Sequence, residues 1–323
     1  MTGSPGSSPT SRPLTGILIV DKPRGPTSHE VTAWAGRLLR VPVGHSGTLD
    51  PGVSGVLVVM TGRAVKLAPV LQRSDKEYVC LVRLHGDCTP EALREVLGEF
   101  TGRIYQRPPR KSAVKRSLRI RTIHGIDLLD LQGRHLLIRV RCDAGTYIRS
   151  LAHHLGLALG TGAHMEELRR TRSGPFREME AHTLHAIADA VSAAGDREPE
   201  HLARMLVPVE RAVTGLPPIT IRDSAVDALC HGAVLAMPGI VEHGMFRKGE
   251  PVAIFTAKGE LVCTAEALVS SEEILPGKTG LVAAPRAVVM EPGIYPKGWR
   301  KRSERTPKME RASPPLPPPT RLV

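Results

Sequence analysis

One octapeptide, Gly44-His45-Ser46-Gly47-Thr48-Leu49-Asp50-Pro51, constrains this chain more than any other stretch. It joins a helix-like segment to an apolar run, Val53 to Met60. Its two glycines allow backbone angles closed to other residues and let the chain pass close to a ligand. Pro51 stops helical continuation and biases Asp50 toward an extended conformation. Such a loop can hold one carboxylate at a set angle in a cleft, where it serves as a nucleophile or a general base. An acid beside Pro and Gly can equally well close an Asx-type turn. The loop residues by themselves leave both readings open.

Around this loop the chain alternates between strand and helix patterns. Gly16 to Lys22 is a short apolar run ending in a charged pair, as a buried strand does. Ser28 is the expected cap of a helix with Val31, Trp34, Ala35, Leu38 and Leu39 on its inner face. A strand follows from Val53 to Met60, then a short helix from Gly62. Asp75 to His85 alternates apolar and polar residues like a half-buried strand, with Tyr78 early in it. Thr89-Pro90-Glu91 opens a helix that reaches about Phe100. Strands are expected around Leu118 to Leu131, His135 to Cys142 and Glu167 to Phe176, with a helix from Ile148 between the last two. Two helical stretches, about Leu184 to Ala194 and Glu198 to Ala212, close the first domain. From Leu216 to about Tyr295 short strands and Gly-rich turns point to a small β-barrel. The expectation is an α+β catalytic domain with an appended barrel. Its boundaries are a disordered tail at 1–13, the catalytic domain at 14–214, the barrel at 215–296 and a basic, Pro-rich disordered tail at 297–323.

Charge narrows the function. The net charge is +12 and the pI about 9.9, which points to a polyanionic partner. The basic residues cluster: Gly102 to Arg121 carries no acid and includes Lys111, Lys115 and Arg116. Pro108-Pro109 keeps its first half from being a solvated helix face, so it reads as an extended phosphate-binding arm with a strand after it. Five cysteines are scattered with no C-x-x-C pair, which excludes an obvious zinc ribbon and a disulfide framework. Free thiols fit a reducing cytoplasm. No apolar run reaches transmembrane length, and the N-terminus lacks a signal-peptide core, so no membrane is expected.

Several distant segments together resemble one family, the TruB family of RNA pseudouridine synthases. Gly16 to Pro23 resembles its first motif and Gly44 to Pro51 its catalytic loop. Asp75-Lys76-Glu77-Tyr78 is similar to its base-stacking strand, Gly145 to Leu151 to its arginine motif, and Leu168 to Gly174 to the last wall of its pocket. The barrel resembles a PUA domain, an RNA-binding module. The resemblance implies a mixed, mostly antiparallel sheet flanked by helices. It implies Asp50 as the catalytic acid, Arg149 as its ion-pair partner and Tyr78 as the platform for the target base. Tyr147 and Leu168 would wall the pocket. His45 would help displace the base or simply satisfy a loop hydrogen bond. Lys22 would contact the loop near the site or end its strand in solvent. The reaction is a redox-neutral isomerisation of uridine, so no cofactor and no metal are expected.

The wording of the acidic loop and of the Gln106 to Arg116 arm is closest to the archaeal homologue of dyskerin. That implies a guide RNA, rRNA as substrate, and H/ACA accessory proteins; a standalone enzyme acting on the T-loop uridine of tRNA is the alternative within the family. Gly52 stands where a Lys is expected, and Arg110 where a smaller apolar residue is usual. Neither removes a catalytic group. Two readings of other classes are a non-catalytic RNA scaffold and a glycosidase-like hydrolase. The lack of a clear second carboxylate speaks against the hydrolase.

Overall fold

A computed structural model describes residues 14–108, 117–194, 204–275 and 277–297. Both expected tails lie outside these residues, apart from Lys297, as do Lys111, Lys115 and Arg116. The N-terminal part begins β1 (Gly16–Lys22), α1 (Ser28–Leu39), β2 (Val43–Ser46), β3 (Ser54–Thr61), α2 (Ala68–Arg73) and β4 (Lys76–Leu84). It continues α3 (Pro90–Glu99), β5 (Gly102–Gln106), β6 (Arg119–Gln132), β7 (His135–Cys142) and α4 (Ile148–Ala158). It ends β8 (Ala163–Ser173), β9 (Phe176–Arg177), α5 (Leu184–Ala194) and β10 (Leu206–Val207). All ten strands form one sheet, in the order β10-β1-β3-β8-β4-β7-β6-β5, with β2 beside β3 and β9 beside β8. The β3–β8 pair is parallel and the others are antiparallel.

The apolar runs explain why β1 and β3 are central. Successive side chains leave opposite faces of a strand, and here both faces are covered. Ile17, Ile19, Val56, Val58 and Met60 enter one core, Leu18, Val20, Leu57 and Val59 another. All nine are 0% exposed, and each such burial is worth about 1.5–3 kcal/mol. Val31, Ala35 and Leu39 of α1 and Ile187 of α5 close the second face. A third core joins β4 and β7 to α3 and α4 through Val82, Ile138, Leu93 and Leu151.

The C-terminal part comprises β11 (Pro218–Ile221), α6 (Asp223–Cys230), β12 (Leu235–Ala236) and β13 (Ile240–His243). It is completed by β14 (Pro251–Thr256), β15 (Leu261–Ala267) and β16 (Leu281–Val288). These strands make a curled six-stranded sheet in the order β12-β16-β15-β14-β11-β13, around its own core. Its Ala253, Leu261, Ala287 and Val289 also join the Ile17 core, so the two parts share apolar packing. Arg63 seals the junction. Its guanidinium donates from Nε to Val289 O (2.7 Å) and from Nη2 to Met290 O (3.0 Å). Arg63→Ala is expected to lower stability by about 2–3 kcal/mol, the scale of charge-assisted bonds left unmade. It should also speed protease cleavage between the two parts. Unchanged melting and unchanged digestion would show that the apolar contact alone holds them.

Three local expectations are corrected. The basic stretch carries a strand before its prolines as well as after them: β5 pairs with β6 from Gly102↔Ile123 to Gln106↔Arg119. No described residue between 204 and 212 is α-helical. Leu206 and Val207 pair with β1, and a 3-10 turn spans Val209–Val213. Pro208 is the reason, because it lacks an N–H and pushes the residue before it to extended backbone. Finally, α6 lies within the barrel-like part, where only strands were expected. It is a short helix that buries Val226, Leu229 and Cys230.

Candidate active site

The acidic loop starts as a strand. Gly44, His45 and Ser46 lie in β2, and the loop proper begins at Gly47, whose φ of +72° needs glycine. It is tied down on both sides of Asp50. Ser28 Oγ accepts from Leu49 N (2.8 Å) and donates to Leu49 O (2.9 Å). Pro51 O accepts from Gly25 N (2.9 Å) and from Lys22 Nζ (3.4 Å). Asp50 O accepts from Val53 N (3.0 Å). The backbone of Asp50 thus makes the turn, and its side chain is left for something else.

Ser28 is therefore not the helix cap. Thr27 caps α1, with Glu30 completing a capping box, and this leaves the buried Ser28 hydroxyl for the loop. Lys22 is likewise no solvated strand end. It is 0% exposed. It donates to Pro23 O (2.8 Å) as well as to Pro51 O. Burial pushes its pKa down, and the nearby Asp50 charge partly opposes that.

The structure brings Arg149 to Asp50, with Nη2 3.2 Å from Oδ2. The side chains are 59% and 65% exposed, so the pair is worth at most about 1 kcal/mol of stability. What it sets is the direction of the carboxylate. Arg149 lies in the first turn of α4, where the helix dipole disfavours a cation. Gln106, buried at the end of β5, fixes that turn by a reciprocal pair: it accepts from Tyr147 N (2.9 Å) and donates to Tyr147 O (3.1 Å). Tyr147 is the half-buried residue just before the helix.

Tyr78 lies in β4, opposite Arg170 of β8. Burial raises its phenol pKa, the Arg170 guanidinium hydrogen-bonded to it pulls the other way, and the Asp50 charge reaches it. Leu168 is half-buried two residues before Arg170, opposite Cys80, and packs at the margin of the third core. His45 has Nδ1 3.0 Å from Thr32 Oγ1 and Nε2 3.4 Å from Thr48 Oγ1. Its pKa is lowered by burial and then by the nearby His29 and Arg170, all of which disfavour the protonated ring.

Four residues that sequence reasoning missed support this arrangement: Ser28, Gln106, Gly55 and Arg170. Gly55 has φ +100°, and a Cβ there would lie 2.2 Å from Arg170 O. Arg170 is 1% exposed and Lys76 3%. Burial pushes Lys76 down to about 8. Asp75, His124 and Asp143 gather with donor atoms within 4.8 Å of one another. His124 Nε2, 3.1 Å from Asp143 and 3.7 Å from Asp75, sits between the two carboxylates. No helix among the described residues is long and apolar enough to cross a membrane.

Residues 37–148 match the TruB family pseudouridylate synthase N-terminal domain, and residues 149–214 the tRNA pseudouridylate synthase B C-terminal domain. Residues 217–289 match the PUA domain. A probable tRNA pseudouridine synthase B of Methanosarcina barkeri is 51% identical over 92% of this chain and 90% of its own length. One of Archaeoglobus fulgidus is 49% identical over 93% and 94%. Among solved structures, a Cbf5-Nop10-Gar1 complex contains a similar chain (48% identity, TM-score 0.81, 85% of each chain). So does an H/ACA RNP bound to a substrate RNA containing 2'-deoxyuridine (46%, TM-score 0.82, 88% of each). An acidic loop on a buried strand pair, an arginine brought to it from a distant helix and a curled C-terminal sheet are thus features of a chain that belongs to the TruB family of RNA pseudouridine synthases, with a C-terminal PUA domain.

Proposed function

We propose that this chain isomerises uridine to pseudouridine in RNA, with Asp50 as the acting carboxylate, Arg149 as the group that holds it and Tyr78 as the platform for the flipped uracil. The C1′–N1 bond breaks, the base turns, and C5 bonds to the sugar; the C5 proton is lost and N1 gains one. The observation that carries this reading is the solvent-open Asp50–Arg149 pair at 3.2 Å, within electrostatic reach of Tyr78. Tyr147, Leu168 and His45 border the base, Lys22 steadies the loop, and Lys111, Lys115 and Arg116 meet phosphates. The catalytic unit is residues 14–214 and the RNA-anchoring unit 215–296.

Guide RNA selects the uridine in rRNA. Support comes from two solved neighbours, a chain of an H/ACA RNP bound to a substrate RNA at 46% identity and a chain of a Cbf5-Nop10-Gar1 complex at 48%. Accessory proteins of that kind are the expected partners, in the cytoplasm. The names of the curated relatives favour a second activity on tRNA. The test is to incubate the chain with tRNA, and with rRNA fragments with and without guide RNA and accessory proteins, and to measure pseudouridine. Free uracil would mean a hydrolase, and binding without conversion a scaffold. Full rRNA modification by the chain alone would defeat the guided reading.

A further inference from the structure

Arg170 is the largest fully buried side chain among the described residues. Burying a guanidinium is costly, and a paired carboxylate is the usual remedy. Here the partners are neutral: Nε donates to Val56 O (2.8 Å) and Nη2 to Gly47 O (2.7 Å). Tyr78 is its third neighbour, directly opposite Arg170 in the β4–β8 ladder with its hydroxyl acting on the guanidinium, and Arg170 makes none of the ion pairs found among the described residues. A second buried cation, Lys76, lies beside it: a Cβ on Gly47 would be 3.2 Å from Arg170 Nη1 and 3.4 Å from Lys76 Cε. Cost of this kind is retained where it does something an apolar side chain cannot.

Each contact reaches a different segment. Gly47 opens the Asp50 loop, Val56 is in β3, Tyr78 is in β4, and Arg170 itself is in β8. We propose that Arg170 is a positioning residue for the isomerisation: one planar fork sets the acid loop and the base platform relative to each other. It never touches RNA, because it is closed beneath Gly47 and Tyr78. Its effect therefore falls on turnover and leaves RNA affinity alone. Lysine cannot replace it, since an ammonium lacks the fixed fork that spans the Val56 and Gly47 carbonyls beside Tyr78.

This rests on the isomerase reading, so the wild-type chain is the control in the same assay; an inactive wild type would refute that reading and not this one. With wild-type activity established, Arg170→Lys should lower the saturating rate of pseudouridine formation about 100-fold, the scale of a misplaced reacting group. Its RNA dissociation constant should stay within about 3-fold. Arg170→Gln, which buries no charge and so does not depend on the lysine variant folding, should lose about as much. In a Tyr78→Phe background the Arg170→Gln loss should shrink at least about 5-fold, because one contact is already absent. Rates within about 5-fold of wild type, additive losses, or affinity falling in step with rate would each overturn the proposal.

Discussion

Asp50→Asn is expected to lower turnover by at least about 10³-fold while the protein stays folded and binds RNA as before. Asn keeps the size of the side chain and can still accept from Arg149, so the 3.2 Å contact has a neutral substitute. The turn is made by the backbone of Asp50, through Val53 N, and Leu49 and Pro51 are held by other groups. What disappears is the charge, and with it the ability to attack carbon or take a proton. Affinity should change by less than about 3-fold, since this exposed acid repels phosphate if anything. The measurement is single-turnover pseudouridine formation alongside a binding titration. Near-normal turnover would reduce Asp50 to a turn residue and remove the basis of the proposed function.

Gly55→Ala should be the most destabilising single change near the site. At φ +100° a side chain is strained, and its Cβ would meet Arg170 O at 2.2 Å and Arg170 N at 2.9 Å. Both are backbone atoms of the neighbouring strand and have no rotamer to escape into. The parallel β3–β8 ladder consists of Ser54↔Arg169 and Gly55↔Arg170, so the methyl would part the sheet at the join between the β1–β3 half and the β4–β7 half. A loss of about 4 kcal/mol or more is expected, in the range reserved for strain and overpacking. It should appear as insoluble protein or a large drop in melting temperature. Gly52→Ala is the matched control: a Cβ there meets nothing within 4 Å. That variant should stay within about 0.5 kcal/mol of wild type. A soluble Gly55→Ala protein with wild-type melting would mean the close approach is not real.

The sequence by itself determined the strands and helices whose pattern is local. GILIVDK, with charge only at its end, and the run after the acidic loop read as buried strands because their apolar residues are consecutive, and both are central. Asp50, Arg149 and Tyr78 were pointed to only through the resemblance of their contiguous stretches to one family's motifs; the acidic loop's own residues left Asp50 open between a catalytic acid and a turn residue. Where a local rule competed with a longer-range contact, the reading went astray. Ser28 looked like a cap, yet its hydroxyl is held 21 residues away by Leu49. Leu206 and Val207 looked helical, yet Pro208 and the free edge of β1 made them a strand. Gln106 and Arg170 lie in stretches the sequence did mark, but for other reasons, and neither they nor Gly55 stood out as individual residues. Their work is done on backbone atoms 41, 114 and 123 residues distant for Gln106–Tyr147, Arg170–Val56 and Arg170–Gly47. A backbone carbonyl is the same at every position, so no residue type announces it. Only the sheet order, which sets β8 between β3 and β4, decided that one buried guanidinium would lie beneath both the acid loop and the tyrosine.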